Sequence, residues 1–253
     1  MALPPEIVDK ILKHIPTNRQ GRPTLTACAL VATWWTGPSQ RRLFSSVAIH
    51  DDNYQRWVNN VVRSESKGHL LKYVHSLWHC RSWDPRTKHQ MRDLARDSGE
   101  YLSALRNIRS LTLFNTRVEN IGEKGFRICF SAFRETLTHL FLNSFTTSFS
   151  ALVTLVDYFP NITTLELGSP VLEPEVGQVP SFSRPLRGKM HVHEVRDDHL
   201  EFFDQFAKLN MEYEELVIDS FFLFVEARLL ESVLQISRNT VKFLRLITEL
   251  ECE

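Results

Sequence analysis

The side chains of this 253-residue chain that could bind a metal or move a proton are 10 histidines, 30 carboxylates and 4 cysteines. The densest group is HSLWHC, which holds His75, His79 and Cys80. On a strand, positions 75 and 79 point to one side and 80 to the other. Structural zinc calls for a second Cys/His cluster at a matching distance, and none follows downstream. His191 and His193 also share a strand face, with Asp198-His199 close behind. His139, the nearest other histidine on that face, would lie two strands away, about 10 Å at the usual strand spacing. The expectation is therefore a chain without metal or cofactor. No P-loop, GxGxxG, GxSxG or HExxH motif occurs, and no nucleophile and base stand at a telling spacing. The carboxylates are scattered along helix faces, where solvation explains them, so the chain is expected to be non-catalytic.

If chemistry is not the business of this sequence, binding is. Lys+Arg and Asp+Glu both number 30, so the formal charge is zero. A broad nucleic-acid footprint would need a basic excess. The most apolar run, FFLFV at 221–225, is far too short to span a bilayer. Glu6, Asp9 and Lys10 occupy the first ten positions, where a secretory signal would be apolar. The four cysteines (Cys28, Cys80, Cys129, Cys252) form no CxxC pair and read as reduced thiols. Together these features point to the cytoplasm and/or nucleus, with no nucleic acid and no membrane as partner.

The elements that position these residues come from a repeat. The pattern apolar-x-x-apolar-x-apolar recurs as IRSLTL, LTHLFL, ITTLEL, YEELVI and VKFLRL, with a degenerate copy in RGKMHV. Earlier copies are FSSVAI and VHSLWH, the latter breaking the rule at His79. The middle apolar residues are Val47, Leu77, Leu111, Leu140, Leu165, Met190, Leu216 and Leu244, spaced 25 to 34 residues apart. Each hexad ends with period two, the mark of a short strand with one inward face. Helical patterns lie between them: Trp57, Val58, Val61 and Val62 share a face, as do Leu152, Val153, Val156 and Phe159, and Leu200, Phe203 and Phe206. Strand plus crossover helix, repeated, predicts an α/β leucine-rich-repeat-like solenoid with a parallel sheet, irregular because the early gaps are longer. The crossover at 168–189 holds four prolines and three glycines, so it is expected to be extended, either a connector or a docking loop. The last hexad ends at Leu246; either ITELECE is a minimal cap or a longer chain has been shortened.

Ahead of the repeat stand two short helices. In LPPEIVDKIL, Pro5 suits the first helical position and Glu6 the positive N-terminus. Ile7, Ile11 and Ile15 form one stripe led by Leu3, and Val8 and Leu12 form another. Pro16 stops the helix. Thr24 is expected to cap a second helix, LTACALVATWW, which Gly37-Pro38 breaks, leaving SQRRLF as a further turn. Ala27 to Ala32 has no polar face, so these helices carry more apolar surface than they can hide against each other. Either the rest of the chain or a partner protein takes the surplus.

Residues LPPEIVDKILKHIP…LTACALVATWWTGPSQRRLFSSVAI resemble an F-box, especially those of fungal F-box proteins. The resemblance rests on Leu3-Pro4, Glu6-Ile7, Ile11, Leu30-Val31, Trp35 and Leu43-Phe44, and departs from the family at Ala32 and in the long loop at 17–23. It implies a helical F-box module at 1–45 followed by the repeat arc at 46–253. It further implies that Leu3, Pro4, Ile7, Ile11, Leu30, Val31 and Trp35 serve binding of a Skp-type adaptor and, through it, a cullin. The chain would then be the substrate-recognition subunit of a ubiquitin ligase, other subunits transferring ubiquitin, with a protein scaffold outside any ligase as the alternative.

Strand alternation places the target-binding face. Residues between the inward positions must point the other way. They are Thr112 and Phe114; His139, Phe141 and Asn143; Thr164 and Glu166; Lys189, His191 and His193; and Glu215, Val217 and Asp219. In-register parallel strands would stack them in rows about 4.8 Å apart. Phe141 is the expected aromatic anchor.

Overall fold

The computed structural model describes residues 3–80, 101–116, 122–172, 182–193, 211–219 and 241–247, with the isolated positions Gly99, Val118, Glu231 and Gln235. The helical pattern around Leu200, Phe203 and Phe206, the FFLFV run and the middle of the proline-rich crossover lie outside the described residues, as does the segment after Ile247.

The chain opens with α1 (Pro5–Lys13), α2 (Arg22–Val31) and α3 (Thr33–Leu43). As expected, Pro5 starts α1, and the inner stripe of Val8 and Leu12 is fully buried. With Leu25 of α2 these two form a small core, onto which Ile15, Cys28, Trp34, Trp35 and Leu43 pack. Ile15 leaves the outer stripe because α1 has already ended; it turns inward, and its carbonyl accepts a 2.8 Å bond from Arg42. Asp9 on α1 takes two bonds from Arg41 at 2.9 and 3.0 Å, which pins α1 on α3.

The second and third helices differ from the sequence expectation. Helix α2 starts at Arg22, not after Thr24, because Pro23 fits the first turn and Gly21 serves as N-cap. Gly21 passes so close to Pro16 that a Cβ would sit 1.9 Å from the Pro16 carbonyl oxygen, so the loop requires glycine. The break falls at Ala32, whose backbone is extended, and α3 then runs through Pro38. Thr36 holds that junction by donating to the Ala29 carbonyl at 2.9 Å.

Among the described residues the repeat region forms one parallel sheet of eight strands in the order β1-β2-β3-β4-β6-β8-β9-β10. They are β1 (Ser46–His50), β2 (Ser76–Cys80), β3 (Ser110–Phe114), β4 (His139–Asn143), β6 (Thr164–Gly168), β8 (Leu186–His193), β9 (Met211–Asp219) and β10 (Phe243–Ile247). Two short strands, β5 (Thr146–Thr147) and β7 (Val171–Leu172), pair as a second parallel ribbon. Pairing joins Val47, Leu77, Leu111, Leu140, Leu165, Met190, Leu216 and Leu244, each directly beside the next. These are the eight middle apolar residues of the hexads, so the repeat in the sequence is the register of the sheet. This in-register parallel ladder with its crossovers is a leucine-rich-repeat-like arrangement.

Behind the sheet lies one continuous core. Helix α4 (Asp51–Trp57) continues into a π-helical turn at Val58–Val62, where Val58 and Val61 are buried. Helix α5 (Gly122–Phe130) contributes Phe126 and Phe130. Helix α6 (Phe149–Tyr158), capped by the Ser148 hydroxyl, buries Leu152, Val153, Leu155 and Val156. Phe130, Phe133 and Phe159 meet at centroid distances of 5.5 to 6.3 Å. The proline-rich crossover is not simply displayed on the rim: where it re-enters the described residues, Phe182 is buried and Arg184 donates to the carbonyls of Phe159 and Pro160.

The same turn follows three successive strands. Asn115, Ser144 and Ser169 all have positive φ, at 51°, 48° and 42°. Their amides extend the ladder to the carbonyls of Asn143, Gly168 and His193 respectively. Gly188 (φ 105°) marks a bulge between β8 and β9, and any Cβ there would lie 2.1 Å from the Thr163 carbonyl oxygen.

Candidate interaction surfaces

Two surfaces take shape. The first is the outer side of the helical module. Leu3, Ile7 and Ile11 are 44%, 40% and 42% exposed along α1, and Leu30 and Val31 are 83% and 70% exposed at the end of α2. Pro4 is exposed beside them. Neither the helical module nor the repeat region fully covers these side chains among the described residues. Of the two ways to hide the surplus apolar surface of α2, the rest of the chain does not supply one at Leu30 and Val31 among the described residues. Trp35 differs from the other expected adaptor residues: it is half-buried and stacks at a tilt on Trp34, 5.6 Å between centroids. It supports the module from within.

The second surface is the open face of the sheet. Register places three rows across it. The central row is Trp78, Thr112, Phe141, Glu166, His191, Val217 and Arg245. Beside it run Cys80, Phe114, Asn143, Gly168 and His193. Asp219 stands at the end of β9 on this same face, two residues beyond Val217. On the other side lie Ser110, His139, Thr164, Lys189 and Glu215. Phe114, His139, Phe141, Asn143, Thr164, Glu166, His191, His193, Glu215, Val217 and Asp219 are all partly exposed, and Lys189 is exposed. Thr112 corrects the expectation, for it is only 3% exposed. It lies on the expected face, but its short side chain sits between Trp78 and Phe141 on the neighbouring strands, and both outreach it.

The β2–β4 end of this face is aromatic. Trp78 and Phe114 lie 5.8 Å apart, and Phe114 meets Phe141 edge-on at 6.0 Å. Trp78 is 44% exposed, which makes it a stronger anchor candidate than half-buried Phe141. Its position between Leu77 and His79 carried the needed alternation signal, obscured because His79 breaks the apolar pattern. His79 is buried instead and meets the Tyr101 hydroxyl at 2.7 Å. The HSLWHC cluster thus separates: His79 enters the core, and His75 turns to the Asn107 carbonyl at 3.1 Å. A groove between this end and the helical module is lined by Arg19, Arg22, Thr26, Ala48 and Trp78.

The β4–β9 end is ionisable. His139 Nε2 donates to Glu166 Oε1 at 2.9 Å. His193 Nε2 is 3.5 Å from Glu166 Oε2, and its Nδ1 is 3.4 Å from Asp219 Oδ2. His191 lies 3.9 Å from the same Asp219 oxygen. The two imidazoles stack with centroids 3.7 Å apart, and Phe141 closes over His193 at 5.5 Å. The hydrogen bond from His139 holds the Glu166 carboxyl below its ordinary value, against the opposing effect of burial. Burial, then the neighbouring His193, pushes His191 down, so its imidazole is neutral near pH 7. The sequence reading set Asp198, His199 and His139 against the pair His191 and His193 as possible ligands. It missed Glu166, which stands on the strand between His139 and His191.

No family model matches the sequence, and no curated protein matches it. Among solved structures the chain is similar to the leucine-rich repeat-containing protein LegL7 from Legionella pneumophila. The identity is 10%, the match covers 94% of this chain and 78% of that one, and the TM-score is 0.40. Among the described residues no helix is long and apolar enough to cross a membrane.

Proposed function

We propose that this protein is an F-box-type substrate-recognition subunit, holding a Skp-type adaptor with its N-terminal helices and a protein target with the open face of its sheet. The observation that carries the reading is the exposure of Leu3, Ile7, Ile11, Leu30 and Val31 on a module whose own core is already complete. Exposed apolar side chains on short helices mark a surface that a partner covers. The resemblance of the same residues to the F-box motif supports a Skp-type adaptor as that partner. A cullin follows through the adaptor, and the protein itself performs no ubiquitin transfer. The aromatic row of Trp78, Phe114 and Phe141 supports target binding, since rigid aromatics supply much of the energy at protein interfaces.

The test is co-purification of the tagged protein from its own cells with the proteasome blocked. Recovery of both adaptor and cullin is the expected result. Adaptor without cullin would favour a scaffold acting outside a ligase, and neither would end the F-box reading.

A further inference from the structure

Two histidines one residue apart on β8 and a glutamate on β6 converge on the open face in a way that an ion-pair network does not account for. One ligand atom from each of Glu166, His191 and His193 lies within 4.8 Å of the others. Among the described residues the Nε2 atoms of both histidines are buried and have no hydrogen-bond partner of good geometry. Each comes within 3.5 to 3.9 Å of a carboxylate oxygen without the geometry of a bond. Leaving two imidazole nitrogens inside a half-buried cluster with nothing to bond is costly. A cation between them removes that cost.

We infer that Glu166, His191 and His193 form a binding site for a single divalent first-row transition ion, with Zn²⁺ as the fitting probe. Two imidazoles and one carboxylate suit Zn²⁺ and its neighbours, and are unlike the all-oxygen shells that Ca²⁺ and Mg²⁺ take. A tetrahedral zinc with bonds of about 2.0–2.1 Å needs its ligand atoms roughly 3.3 Å apart. The Glu166 Oε2 to His193 Nε2 separation is already 3.5 Å. All three ligand atoms already lie within 4.8 Å of one another, because β6 and β8 pair directly, with Glu166 beside His191 and Gly168 beside His193.

The surroundings match what metal ligands require around them. A ligating histidine usually donates its second ring nitrogen to a carboxylate, and a ligating carboxylate is itself hydrogen-bonded. His193 Nδ1 faces Asp219 at 3.4 Å while its Nε2 faces the site. Glu166 Oε1 accepts from His139 while Oε2 faces the site. The opposing charge nearby is Arg245 on β10, beside Val217. Three protein ligands leave a fourth position directed at the open face, for water or for a side chain of a bound protein.

The experiment uses the full chain, stripped with chelator and dialysed. Zn²⁺ is titrated by calorimetry, and Co²⁺ by the visible absorption of a tetrahedral site. One ion per chain is expected. Binding should be lost in His191→Ala/His193→Ala and weakened in Glu166→Gln, which keeps the shape of the side chain. His139→Ala should weaken it by about 10- to 100-fold, as removal of an orienting partner does. His75→Ala, remote from the cluster, should bind like the parent. Thermal unfolding of each variant reports whether it folds. No ion bound by the parent chain overturns the assignment. So does binding that survives in a folded Glu166→Gln at parental strength, or one that is lost equally in His75→Ala.

Discussion

Replacing Ile7 by Asp separates the two faces of α1. Ile7 is 40% exposed, so about three-fifths of its surface is already covered within the module. Burying a whole isoleucine contributes roughly 1.5–3 kcal/mol, so the folded chain loses about 1–2 kcal/mol of apolar burial. Position 7 lies in the first turn of α1, where a carboxylate gains about 0.3–1 kcal/mol from the helix dipole. The net cost to folding is about 1 kcal/mol. An adaptor closing over the same position would have to bury an unpaired carboxylate, at several kcal/mol, besides losing the remaining apolar contact. Adaptor affinity should therefore fall by more than about 100-fold, since each 1.4 kcal/mol is tenfold. Leu12→Ala is the counterpart, because Leu12 is fully buried. It should destabilise the module by about 2–5 kcal/mol and lose the adaptor by unfolding. Calorimetric titration with purified Skp-type adaptor, alongside thermal melts followed by circular dichroism, reads both effects. A folded Ile7→Asp that binds within about threefold of wild type would refute the adaptor face. An Ile7→Asp that unfolds as Leu12→Ala does would refute the division of α1 into inner and outer stripes.

Three further outcomes are expected. Gly188→Ala should destabilise the sheet by at least about 1–3 kcal/mol in a denaturant titration, because φ is 105° and the Thr163 carbonyl occupies the Cβ position; an unchanged midpoint would show that the bulge relaxes freely. Tyr213→Phe should stabilise by about 1 kcal/mol, because the Tyr213 hydroxyl is buried without a hydrogen-bond partner among the described residues and burial pushes its ionisation far up; a lower melting temperature would reveal a partner for that hydroxyl. Trp78→Ala with Phe141→Ala should keep the fold and the adaptor but lose target proteins, at about 2 kcal/mol per anchor; an unchanged set of captured proteins by mass spectrometry would move recognition to another surface.

Much of the sheet is legible in the sequence because strand formation and inward alternation are local. Leu111, Leu140 and Leu165 declare themselves by period two, and their even spacing brings them side by side as Cα partners. The buried face of α6 is equally plain, since Leu152, Val153 and Val156 recur at helical spacing. The start of α1 follows from Pro5, whose fixed φ and missing N–H suit only the first turn. Other features depend on what stands opposite. The stripes of α1 are equally apolar, and only the packing of α3 and Leu25 makes Val8 and Leu12 the inner pair. Thr112 is a surface residue by alternation and a buried one in fact, because the cross-strand neighbours Trp78 and Phe141 are larger. The break at Ala32 wins over Gly37-Pro38 because Thr36 ties the junction to Ala29. Glu166 joins His191 and His193 only through pairing of strands separated by a whole crossover. Local periodicity assigns a residue to a face, but which residues meet on that face is a non-local matter of register, neighbour size and the helices packed behind. The strands and their inward rows therefore follow from local periodicity, whereas the chemistry of the outward rows arises only when the strands are assembled side by side.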